Sequence, residues 1–291
     1  MDGLGDPGPA QGDLTMVLTV YLTALSVLSL VVVGLRFHVR IFIIRKVGMD
    51  DWATALACMG QISVASGTIA ATQMFGLGRH MHTLTRPAQS NLITAVLITS
   101  FGYHFVLMIL KAAFLLQYRR SFPLPGFQRL CDIFLIFLLC WTIAGAIAGG
   151  STCKPGAAAA GIVEASDKTC EEGFKVWLAH GVINIITDVL IYIMPLPLIK
   201  TLPLSKGQKI ALFAVFSLGF FTCVISGMRL STLRESIGNP DSSWVMANTV
   251  FYSMGELTAA IVCLCVPTLR PLLSGFKRQS SRQTRLGSGS E

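Results

Sequence analysis

Long apolar stretches separated by short polar ones run the length of this chain. A hydrocarbon core takes about 20 residues of helix to cross. Seven stretches meet that length: residues 14–35, 51–74, 89–110, 130–149, 176–199, 210–228 and 246–268. Prolines punctuate them. Pro87, Pro123, Pro125, Pro155, Pro203 and Pro240 fall between stretches. Pro195, Pro197 and Pro267 fall in the last turn of one, where the carbonyls that proline frees meet water or headgroups. Trp52, Trp177 and Trp244 open their stretches as interfacial anchors, and Trp141 sits mid-span as a core residue. The pattern predicts an all-α bundle of seven transmembrane helices over residues 14–273. A short N-terminal segment, 1–13, precedes it and a basic, Ser-rich tail, 274–291, follows. The first stretch lacks a positive n-region and is too long for a signal peptide, so it reads as a retained helix.

Composition agrees. Hydrophobic residues make up 53% of the 291, charged residues 13%, and the mean hydropathy is +0.64. A soluble domain carries about 25% charge. A secreted disulfide scaffold, a cytosolic parallel-sheet enzyme and a disordered chain are thereby excluded. The net charge of +8 points to cytoplasmic loops, not to nucleic acid. The odd-numbered connections and the tail hold 15 of the 23 basic residues, in four groups: Arg36, Arg40, Arg45 and Lys46; Arg119, Arg120 and Arg129; Lys200, Lys206 and Lys209; Arg270, Lys277, Arg278, Arg282 and Arg285. Seven others, among them Arg79, Arg86 and Arg229, lie on the opposite side, and Lys111 lies within a span. The bias predicts an N-terminus outside and a C-terminus in the cytoplasm, with the plasma membrane as the default location. Seven helices in that orientation is a topology, not a function.

Ionisable groups at bilayer depth are costly and are therefore candidates for function. Asp188 in the fifth span, Glu256 in the seventh, and His104 and Lys111 in the third are such groups. Asn184 shares a face with Asp188, and His104 with Lys111. Two readings stand: a polar network joining helices three, five and seven that binds a ligand, relays protons or switches; or a mutually satisfied cluster that fixes helix register. The first connection gathers Arg36, Arg40, Asp50 and Asp51. They form either a salt-bridged, dipole-capped helix corner or a surface for a partner or anionic lipid. Cys153 and Cys170 lie in the long fourth connection on the oxidising side. A bridge there closes a loop worth about 3 kcal/mol. The other six cysteines read as small apolar packers. No lysine occurs in 246–268, so a retinal Schiff base is not expected, nor is any other cofactor. No metal-binding histidine array, phosphate loop or nucleophile elbow appears, so neither metal chemistry nor enzymatic activity is expected.

An ordered set of short elements then points to a family. Leu35-Arg36-Phe37-His38-Val39-Arg40 leads to Gly48-Met49-Asp50-Asp51-Trp52. Gly76-Leu77-Gly78-Arg79-His80, Leu110-Lys111, Cys153-Lys154-Pro155 and Cys170 follow. Next come Asn184, Thr187-Asp188, Pro195-Leu196-Pro197, Phe216-Ser217-Leu218-Gly219 and Met228-Arg229-Leu230. Glu256 and Cys265-Val266-Pro267 close the series, with Leu269-Arg270-Pro271. Over residues 17–273 the chain resembles the fungal rhodopsin-domain integral membrane proteins. The resemblance implies a seven-helix, receptor-like protein. The family includes sensors of surface or host cues in plant-pathogenic fungi and members encoded in secondary-metabolite clusters. An Ala/Gly spacer, 156–161, replaces the tryptophan usual after Cys-x-Pro. No cysteine-rich segment precedes helix one, and the tail is short. These departures count against surface-cue sensing and elaborate tail signalling and put a compact, cluster-type member on at least an equal footing. Its expected partners are the bilayer, a small ligand, and a cytoplasmic signalling or biosynthetic protein. The competing functions are a small-metabolite or proton-coupled transporter and a non-catalytic accessory protein of a biosynthetic cluster.

Overall fold

The computed structural model describes residues 14–80, 83–152, 168–197, 206–235 and 242–287. They form seven helices: α1 (Thr15–His38), α2 (Met49–Phe75), α3 (Arg86–Ser121), α4 (Pro125–Thr152), α5 (Lys168–Ile193), α6 (Lys206–Glu235) and α7 (Ser242–Gly287). No strand occurs among the described residues. Five of the helices are long and apolar enough to cross a bilayer, namely α1 to α4 and α7; the described part of α5 is a shorter apolar helix, Leu178–Ile193. Of those five spans α7 is the most buried and α4 the least. Ile133, Ile136, Ile143 and Ile147 of α4 all face outward, where lipid rather than water is their solvent.

Local chemistry explains several boundaries. A π-helical turn, Val39–Ile44, extends α1 and ends at Arg45, whose φ of 54° is left-handed. α2 starts at Gly48. The Asp51 carboxylate, at the third helical position, reaches back to the Gly48 N–H at 2.9 Å and satisfies a donor the helix cannot. Gly48 also leaves room for the Arg120 guanidinium of α3, with which a Cβ there would collide. Gly76, with a φ of 76°, ends α2 in the left-handed conformation glycine adopts freely.

Three ends differ from the sequence expectation. The fifth span, expected to reach residue 199, is broken by a turn at Met194–Pro195, because the residue before a proline is steered away from helix; residues 196–197 are helical again and 198–199 lie outside the described residues. The sixth, expected to end at 228, carries on to Glu235. The seventh, expected to end at 268 before an unstructured tail, continues through Pro267 and Pro271 to Gly287. Pro267 removes one helix bond and strains the preceding turn. In that turn the Leu264 carbonyl accepts a hydrogen bond from Arg36 Nη1. A side chain from α1 thus ties α7 down in the turn that Pro267 weakens.

The α2–α3 seam shows how closely the bundle packs. A Cβ on Gly60 would lie 2.6 Å from Val106 Cγ2, one on Gly102 3.0 Å from Val64 Cγ2, and one on Gly67 3.2 Å from Thr99 Cγ2. The three pairs share one antiparallel register, and each sets a glycine against a β-branched side chain on the other helix. Small residues let helix backbones approach in a solvent that gives no hydrophobic drive for association.

Candidate functional site

α3, α5, α6 and α7 bring a ring of charged and polar side chains into the bundle. Lys111 Nζ donates to Asn184 Oδ1 at 2.7 Å, to the Asn184 carbonyl at 2.9 Å and to Thr187 Oγ1 at 2.6 Å, and lies 3.2 Å from Asp188 Oδ1. It is buried and does not snorkel to an interface. Asn184 Nδ2 links the two acids, at 3.3 Å from Asp188 Oδ2 and 3.2 Å from Glu256 Oε1. Glu256, 2% exposed, also accepts from Ser226 Oγ and Tyr103 Oη, each at 2.6 Å. Two acids and two bases make the ring electrically balanced, which is what allows it to be buried at all.

The fourth charge is Arg229, on α6. Its Nε lies 3.3 Å from Glu256 Oε2 but out of line for a hydrogen bond, and Nη2 has no hydrogen-bond partner among the described residues. The guanidinium instead lies over the Tyr103 ring, 4.7 Å from its centroid, a cation–π contact. A void of about 20 Å³ lies between Lys111, Asp188, Tyr192, Thr222 and Glu256, room for one water.

His104 does not join this ring. Its Nδ1 is 2.8 Å from the Ser100 carbonyl, and its imidazole packs edge-on against His180 of α5, with centroids 4.7 Å apart. Sharing a face with Lys111 is not sharing a level. Seven residues of helix put His104 about 10 Å further along the axis. α3 and α5 run parallel, and one offset of 76 positions matches His104 to His180 and Lys111 to Thr187.

A second node sits where α1, α2, α3 and α7 meet. Arg36, wholly buried, donates from Nε to Asp51 Oδ1 and from Nη2 to Asp50 Oδ2, both at 2.8 Å, and from Nη1 to Gln117 Oε1 at 3.0 Å. Arg40 Nη2 is 3.1 Å from Asp50 Oδ2. Arg120 Nη1 is 2.8 Å from Asp50 Oδ1, and its Nη2 donates to the Lys46 carbonyl at 3.0 Å. Of the two readings of this corner, the geometry is that of a salt-bridged helix start. Asp50, Asp51 and Arg36 are buried, while Arg40 and Arg120 keep part of their side chains exposed.

The profile of the fungal rhodopsin domain covers residues 35–275. The chain belongs to that family. Three fungal relatives are similar over most of it. The Polyenoic acids biosynthesis gene cluster protein Ba17b of Metarhizium anisopliae is 25% identical over 88% of this chain and 73% of that protein. Fugralins biosynthesis cluster protein 2 of Gibberella zeae is 24% identical over 94% and 68%. Receptor GIN3 of Arthrobotrys oligospora is 26% identical over 85% of this chain and 60% of its own length. No solved structure matches the chain significantly. Family membership and the apolar helices make the chain a multi-pass protein of a lipid bilayer.

Within this fungal rhodopsin domain, sequence reasoning found Lys111, Asn184, Asp188 and Glu256 and missed Tyr103, Thr187, Ser226 and Arg229. Arg229 was assigned to a connection because the apolar run fades at Met228. A signal was present: Thr222, Ser226 and Arg229 recur at helical spacing and make one polar stripe on α6. Gln117 and Arg120 of the second node carried no comparable mark. Cys153 and most of its loop lie outside the described residues, as does the side chain of Cys170, so the expected bridge falls there too. Cys58, Cys131, Cys263 and Cys265 are buried thiols in helices.

Proposed function

We propose that this protein is a non-catalytic, receptor-like sensor of a small ligand, serving a fungal secondary-metabolite or host-interaction pathway from the plasma membrane, without a bound cofactor. The observation that carries this reading is the half-bonded Arg229. A buried guanidinium with two nitrogens unbonded forfeits several hydrogen bonds, each charge-assisted one worth about 1.5–3 kcal/mol. A second packing in which Arg229 closes squarely on Glu256 recovers part of that, at the expense of the Tyr103 contact. Two arrangements of similar free energy across α3, α6 and α7 are what a ligand needs in order to bias one of them. The relatives' names, two from biosynthetic clusters and one a receptor, support the setting.

The competing reading, a proton-coupled permease that titrates Asp188 and Glu256, rests on the water-sized void between them. One experiment separates the two. The gene is deleted in its fungal host and restored as wild type, Asp188→Asn or Arg229→Gln. Metabolite distribution and the transcriptional response to culture extract are then measured together. A sensor loses or locks the response with no change in flux. A compound trapped inside deletion cells, and not released in the Asp188→Asn strain, overturns the sensor reading.

A further inference from the structure

About two turns of α3 from Lys111, a cavity of about 380 Å³ opens between α3, α4 and α5. Phe101, His104 and Phe105 of α3, Thr142 and Gly145 of α4, and His180 of α5 line it. Its size is that of a small-molecule site. The mouth is on the lipid-facing side, where Phe105 is 54% exposed and the isoleucines of α4 point outward. A ligand reaching it from there is one that dissolves in the bilayer.

One wall residue, His180, is polar in a particular way, and Trp141 packs behind it. His180 Nδ1 and Trp141 Nε1 are buried and make no hydrogen bond among the described residues. The two rings stack at 5.7 Å with an interplanar angle of 23°, and Trp141 lies one turn from Gly145. A buried donor without a partner is costly, and indole N–H can only donate. Gly145 makes the arrangement feasible, since a Cβ there would sit 2.6 Å from His180 Cδ2. The four charges nearby are already balanced among themselves. We infer that this cavity is the binding site for a neutral, lipophilic small molecule carrying one hydroxyl or carbonyl oxygen, which enters from the bilayer and seats that oxygen against His180. A lipid acyl chain fills the volume but leaves the imidazole nitrogen unpaired.

The inference deepens the sensor reading, because His104 in the cavity wall adjoins Tyr103, which holds both Glu256 and Arg229. Binding itself does not depend on that reading. The test uses the full chain in nanodiscs. It is titrated with 9-anthracenemethanol, a rigid lipophile with one hydroxyl, and with anthracene, which has none. Probe fluorescence anisotropy is read after subtraction of empty discs. The expected result is saturable binding of the alcohol, weakened about tenfold in His180→Phe, with anthracene changed less than about twofold. Ala146→Trp, at the outward-facing rim, blocks both probes while leaving the lipid-facing packing intact. Signal that never saturates, or that is the same in Ala146→Trp, overturns the inference and marks the cavity as lipid-filled. Saturable binding with an unaltered response in Arg229→Gln cells leaves the site standing and removes the switch. A lost response in those cells without probe binding does the reverse.

Discussion

Arg36 shows how one side chain can organise a membrane bundle. It joins two carboxylates of α2, an amide of α3 and a carbonyl of α7, with none of its surface exposed. Arg120 binds the same two carboxylates but is 33% exposed at its side chain. Burial decides what each is worth. Removing one partner of a buried, hydrogen-bonded pair costs about 3–5 kcal/mol, because the other charge stays behind uncompensated; a partly solvated pair is worth about 1 kcal/mol or less. Arg36→Ala is therefore expected to unfold in detergent far below the wild-type midpoint, and Arg120→Ala only slightly below it, by tryptophan fluorescence on heating. Equal losses would mean that the corner is held by something other than these pairs. The pairing of Arg36 and Arg40 with Asp50 and Asp51 was legible because the partners lie within 15 positions of one another. Gln117, 81 positions away, was not legible, since only the tertiary arrangement brings it there.

Among the elements, the α2–α3 seam makes a sharper prediction than any helix alone. Alanine gains up to about 1 kcal/mol over glycine in a helix, and overpacking costs about 1–3 kcal/mol. The clearances then set the sign. Gly67→Ala, with 3.2 Å to Thr99, is expected to be neutral or stabilising; Gly102→Ala lies between; Gly60→Ala, with 2.6 Å to Val106, is destabilising. Thermal midpoints of the three variants test the order. Val106→Ala added to Gly60→Ala is expected to return most of the loss, because it deletes the methyl groups that clash. Failure of that rescue would place the strain elsewhere. Helix number could be read from hydropathy because lipid demands long apolar runs. The seam could not, since a glycine in an apolar run does not say what faces it. The helix ends were misplaced for a related reason: hydropathy falls where charges begin, yet α6 keeps Arg229 inside the bundle and α7 stays helical through Pro267.

At the scale of the whole molecule, the two polar nodes are joined by shared helices. Tyr103 and Lys111 on α3 serve the first and Gln117 the second; on α7, Glu256 serves the first and the Leu264 carbonyl the second. A tilt or axial shift of α7 that alters the Glu256 contacts moves the Leu264 carbonyl against Arg36 as well. Which side of the membrane receives that movement depends on orientation. Arg229 was counted among the outer basic residues in the loop tally, but it is buried. Arg36, counted with the fifteen, is buried too; removing both leaves six against fourteen, and the bias toward a cytoplasmic Arg36 node remains. A glycosylation acceptor inserted within residues 1–13 is thus expected to be modified, and an epitope added after residue 291 to be stained only in permeabilised cells. The reverse pattern would put the Arg36 node outside. The end of the bundle where α1, α2, α3 and α7 are locked together would then face the medium, and a shift of α7 would reach the outer surface instead of the inner one.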